Sequence, residues 1–140
     1  EYISMLIKAL KIPLRSIGRL EDVKFDKWYY PYVMTANYYG LNNVADSEFF
    51  YPEEPITRED MVYYAGKLLE NKSTFHSKSD VNILNNYTDK NIIAPHVLSY
   101  FSVFVENNII SGRNKSFLYP KDKATRAEAC VFIHNLINIF

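Results

Sequence analysis

Apolar positions recur at helical intervals in two strong stripes along this chain. Met61, Val62, Ala65, Leu68 and Leu69 fall on one side of a 3.6-residue spiral, as do Ala129, Phe132, Ile133, Leu136, Ile137 and Phe140. Each stripe begins just after a threonine with an acid three residues on, Thr57 with Asp60 and Thr125 with Glu128. That spacing is a capping box: the hydroxyl accepts a first-turn amide and the carboxylate reaches back to the threonine amide, a span that the longer Glu128 suits better than Asp60. Two looser stripes precede these, in "WYYPYVMTANYYG" (28–40) and "APHVLSYFSVFVENN" (94–108). Both place a proline in an early turn and reach Gly40 or Asn108, residues that tolerate the left-handed conformation beyond a helix C-terminus. The pattern predicts a mostly helical chain written as helix, loop, capped helix, twice over.

The repetition is close at the caps. "YPEEPITRED" occupies 51–60 and "YPKDKATRAE" occupies 119–128, each position in the second lying 68 residues after its counterpart. A fixed period of this size is the mark of stacked supersecondary units. Arg58 and Arg126 take the first helical position, where the macrodipole is positive and an exposed cation costs roughly 0.3–1 kcal/mol. Helix stability therefore does not explain them. Two readings stay open, a salt bridge to a carboxylate of the neighbouring repeat and a bidentate grip on a ligand carboxylate.

Composition limits the partners. With 140 residues, 48% of them apolar, the chain can bury a sizeable core. Sixteen basic side chains balance sixteen acidic ones, which removes the long-range field that gathers nucleic acid or an anionic membrane. No apolar run reaches the roughly 18–20 residues of a membrane span, and Glu1 stands where a signal peptide would carry basic residues. Cys130 is the single cysteine and His76, His96 and His134 are scattered, so neither a metal site nor a cofactor is expected. An enzyme reading finds no support: the carboxylates serve as caps or solvated charges, His134 lies in an apolar helix and Cys130 has no motif around it.

Upstream of the looser helices, "LEDVKFDKW" (20–28) and "YTDKNIIAPH" (87–96) each place an apolar residue and a spacer ahead of an aspartate. With the Trp, the Ile-Ile-x-Gly turn, the aromatic-x-Pro and the Thr-Arg-Ala-Glu phrase, the chain resembles the S-layer homology (SLH) repeat, most closely at 87–140. "EYISMLIKAL" aligns with "DMVYYAGKLL" and "EACVFIHNLI", so residue 1 is similar to the acid of a further phrase. The expected organisation is thus the terminal helix and linker of a preceding repeat at 1–19, a repeat at 20–70, a linker at 71–86 and a repeat at 87–140. On this reading more of the protein lies before residue 1.

The resemblance implies an all-α fold of tandem repeats forming part of a pseudo-threefold spindle, with the capped helices bundled at its centre and ligand grooves between repeats. It implies non-covalent anchoring of a bacterial surface protein to the cell wall, outside the cell, by binding a secondary cell-wall polysaccharide that is often pyruvylated. A packing module of a surface layer, without glycan contact, is the alternative. The carbohydrate-binding residues implied are Asp22, Trp28, Arg58, Asp89, His96, Gly112, Arg113 and Arg126. Trp28 suits stacking on a sugar face, although a core position beside Tyr29 and Tyr32 explains it equally well. Asp22 and Asp89 suit sugar hydroxyls or a cap of the following turn. His96 stands where the second repeat would have its tryptophan, and Val44 and Ala45 replace Gly112 and Arg113 in the first.

Overall fold

The computed structural model of the chain describes residues 1–41, 48–71, 75 and 80–140. Val44, Ala45 and His76 lie outside these. The described residues form the helices α1 (Tyr2–Ala9), α2 (Tyr30–Tyr38), α3 (Arg58–Leu69), α4 (Leu98–Glu106) and α5 (Arg126–Ile139). Short 3-10 turns at Val81–Asn86, Lys90–Ile92 and Pro95–Val97 lead into α4. No strand occurs among the described residues; isolated bridges join Thr57 to Lys123 and Asn114 to Phe117. The fold is all-α.

Both capping boxes form. The Thr57 and Thr125 hydroxyls accept the amides of Asp60 and Glu128, each at 3.1 Å. The return bond to the threonine amide is 2.8 Å from Glu128 and 3.4 Å from Asp60, the difference expected of one extra methylene. At the other ends, Gly40 and Asn108 turn left-handed (φ 70° and 56°). Leu41 then donates its amide to Ala36 O at 3.0 Å, and Ile109 to Phe104 O at 2.8 Å. These are Schellman stops, and the buried Leu41 and Ile109 are their apolar anchors. Helix α1 ends in the same way through Lys11 (φ 54°), whose side chain gave no hint of it in the sequence.

The chain divides into two compact units, Glu1–Glu54 and Pro55–Phe140. In the first, α1 packs on α2, and Leu20, Val23, Val33 and Met34 form a core edged by Tyr29, Tyr30 and Phe50. In the second, α3 packs on α4 across Gly66, where the ring of Tyr100 lies so close that a Cβ would come within 2.4 Å of it. Tyr100 reaches past this gap to donate to Glu70 at 2.5 Å. The division falls in front of α3, so α3 belongs with α4 and α5 in the second unit and not with α2. The contact units are therefore out of phase with the repeats expected from the sequence. The stretch 71–86 also contributes to the core: Phe75 meets Tyr100, Phe104 and Phe140, and Leu84 in the Val81–Asn86 turn is 1% exposed. Each such burial is worth roughly 1.5–3 kcal/mol.

Candidate functional site

In the second unit, α3, the 108–113 loop and the outer face of α5 enclose an open groove of about 360 Å³. Met61, Ile109, Ile110, Val131 and Phe132 give it apolar walls, and Asn108, Ser111 and Asn135 supply polar groups. Arg58, Gly112, Arg113 and Glu128 also line it. Three of the eight residues expected to bind carbohydrate, Arg58, Gly112 and Arg113, thus meet in one place although Arg58 belongs to the preceding repeat.

Arg58 is 4% exposed, and its guanidinium is turned into the second repeat. Nε donates to Leu118 O at 2.8 Å, Nη2 to Ser111 O at 2.8 Å, and Nη1 pairs with Glu128 at 3.0 Å. Of the two readings left open for it, the inter-repeat salt bridge is the one formed. Burial lowers the Arg58 pKa and the Glu128 carboxylate opposes that shift. The first-turn amides of α3 are engaged too: Arg58 N donates to Asp122 O at 2.9 Å and Glu59 N to Pro120 O at 2.8 Å. Backbone carbonyls, rather than an outside anion, meet this positive helix end.

Glu128 is the hub. Its Oε1 accepts from Arg58 and from Arg113 Nε at 2.8 Å; its Oε2 accepts from Arg113 Nη2 at 3.2 Å and from the Thr125 amide and hydroxyl. The hydrogen bond from Arg113, with those from Thr125, brings its pKa down to about 2 against the opposing effect of burial. Arg113 also pairs with Asp122 at 2.6 Å and donates to Lys123 O at 2.9 Å, and it keeps 36% of its side chain exposed at the rim. Two guanidinium cations and two carboxylates offset each other here. Gly112 allows the loop to close, since a Cβ there would stand 2.3 Å from the carbonyl oxygens of Asn114 and Phe117.

The remaining expected residues lie elsewhere. Asp22 accepts the amides of Phe50 (3.0 Å) and Tyr51 (2.6 Å), and Asp89 those of Leu118 (3.0 Å) and Tyr119 (2.7 Å). The early aspartates therefore clamp the backbone just ahead of each Tyr-Pro, neither capping the next turn nor standing idle. Trp28 is 60% exposed, which removes the core reading; Tyr29 meets it edge-on at 5.6 Å. His96 is exposed and stands edge-on to Tyr63 of α3 at 5.2 Å. Arg126 is exposed on α5.

Two residues escaped the sequence reading. At Glu128 the capping box by itself accounts for an acid, which hides its second role as the partner of two arginines. Glu59, 7% exposed, accepts the Ala94 amide at 3.0 Å and pairs with Lys121 at 2.5 Å, fastening α3 to the turn before α4. Its signal was an acid beyond what the cap needs, at the position where the second phrase has Ala127.

Among the described residues no helix is long and apolar enough to cross a membrane, and no three His, Cys, Asp or Glu side chains are grouped to hold a metal ion. The chain is 28% identical over 139 residues to the exoglucanase XynX of Acetivibrio thermocellus, covering 98% of this chain and 12% of that protein. It is 27% identical over 138 residues to an amylopullulanase of Thermoanaerobacterium thermosulfurigenes, covering 98% of this chain and 7% of that one. The chain thus spans about a tenth of the length of these curated relatives. Residues 21–62 and 86–130, more than half of the chain, match the S-layer homology domain. With two matched segments and an all-α fold, the chain belongs to the S-layer homology family, whose domains anchor surface proteins at the cell wall.

Proposed function

We propose that this chain holds a surface protein on the bacterial cell wall non-covalently, by binding a secondary cell-wall polysaccharide of the pyruvylated kind, and has no catalytic role itself. On this reading its repeats are 20–70 and 87–140, joined by the linker 71–86, with 1–19 ending an earlier repeat. The observation that carries the reading is the convergence of Arg58, Gly112 and Arg113, from two repeats, on one open groove. Apolar walls and neutral amides suit a sugar ring, which has both an apolar face and hydroxyl groups. The half-exposed guanidinium of Arg113 is the cation a ketal carboxylate would meet at the rim, with Arg58 holding the loop carbonyls behind it. Exposed Arg126 offers a second cation, and Trp28 and His96 offer exposed rings in the first and second repeats. Asp22 and Asp89 contribute indirectly through the backbone they hold.

A packing role in a surface layer is favoured by one observation, the exposed apolar side chains Val131, Ile137 and Ile139 on α5. Sedimentation with cell-wall sacculi separates the readings. Binding that survives moderate salt and disappears once the secondary polymer is chemically stripped from peptidoglycan supports the proposal. Equal binding to stripped and intact walls points to peptidoglycan, and binding to neither points to packing.

A further inference from the structure

Tyr51 and Tyr119 stand at the same register of the two repeats, and both are left-handed (φ 55° and 52°). This is an unfavourable place for a bulky side chain, and the proline that follows each makes it more so. Asn or Gly would satisfy the backbone with less strain. In each repeat an aspartate holds the bend by accepting the tyrosine amide, and in each the ring stacks on a phenylalanine two residues earlier: Tyr51 on Phe49 at 5.9 Å and 20°, Tyr119 on Phe117 at 5.5 Å and 27°.

Among the described residues the two rings differ in exposure: Tyr119 is half-buried and Tyr51 is exposed. Tyr119 has a local reason to be there: Asn114 donates to its hydroxyl at 2.9 Å and the Arg113 guanidinium lies 6.0 Å from its ring. Tyr51 is 56% exposed and its partner Phe49 is 44% exposed, so the first repeat presents a flat aromatic pair to solvent on a strained bend. The exposed residues beside it in sequence, Glu48, Glu53 and Glu54, are acidic. That setting offers acceptors to the hydroxyl groups of an uncharged sugar unit.

We propose that Tyr51, stacked on Phe49, is a platform for a neutral sugar ring of the wall polymer, apart from the groove at Arg113. The inference rests on the wall-binding reading above. A pyranose lays its C–H face on such a ring while its hydroxyls reach flanking carboxylates, and a rigid aromatic gives this contact at low entropic cost. The strained bend is kept in the first repeat to aim the ring outward, and in the second to close the Arg113 rim.

The test compares Tyr51→Asn, Tyr51→Phe and Tyr119→Asn in the full chain, by binding to intact sacculi and by thermal melting. Asparagine tolerates the left-handed bend, so it removes the ring without imposing strain. Tyr51→Asn is expected to weaken binding about tenfold with an unchanged or raised Tm, and Tyr51→Phe to keep most of the affinity. Tyr119→Asn is expected to lower Tm instead. Wild-type binding that Tyr51→Asn leaves intact would overturn this platform alone. A fall in Tm for Tyr51→Asn as large as that for Tyr119→Asn would overturn it too, by giving the ring a packing role. Failure of the wild-type chain to bind sacculi would remove the wall-binding reading, and the platform with it.

Discussion

Arg58 Nη1 and Glu128 Oε1 lie 3.0 Å apart, so the first helical residue of one capping phrase is paired with the cap-closing acid of the next. The pair ties the two repeats together through a buried cation. Arg58→Ala leaves the carbonyls of Leu118 and Ser111 without their donor and should cost about 3–5 kcal/mol in chemical denaturation. Arg58→Lys should recover only part of this, because one ammonium cannot span three directions. Arg126→Ala, at the exposed equivalent, should cost less than about 1 kcal/mol. Equal losses at the two arginines would contradict the assignment.

Glu128 gives the fold an acid limit. Its folded pKa of about 2 lies below the ordinary 4.5, so its contribution is fully present above about pH 4.5 and is lost as pH falls through 2. Melting temperature should therefore fall across that window, and Glu128→Gln, less stable at pH 7, should show a shallower fall over the same range.

Gly66 opposes two effects of known size. Gly→Ala inside a helix gains about 1 kcal/mol from propensity, yet the new Cβ would stand 2.4 Å from the Tyr100 ring and overpack the α3–α4 contact by roughly 1–3 kcal/mol. Gly66→Ala should be net destabilising in the wild type. In a Tyr100→Ala background its sign should reverse, which a double-mutant cycle reads directly.

Cys130 reports on the exposed side of α5. It is exposed, whereas its counterpart in α3, Val62, is 0% exposed. A maleimide should label Cys130 fully in the native chain, at a rate denaturant hardly changes. Val62→Cys, made with Cys130→Ala, should label only as the chain unfolds.

What the sequence determined by itself was local. Capping boxes, the Gly40 and Asn108 stops and the apolar stripes are set by residues within a few positions of each other, so helix starts, helix ends and the repeat period could be read from spacing. Lys11 carries no such signal: its left-handed turn is seen only in the backbone, where the Ile12 amide closes on Ile7 O at 3.0 Å. What only the tertiary structure decided was the use of equivalent residues. Arg58 and Arg126 stand in the same phrase, yet one is buried against the carbonyls of the following repeat and the other is exposed. Nothing in the spacing around Asp22 and Asp89 marks them as clamps on amides about 30 residues away. For Arg58, Asp22 and Asp89 the partners are remote in sequence, and apart from the Glu128 carboxylate they are backbone carbonyls or amides. No side-chain pattern marks which carbonyl or amide the fold will bring alongside.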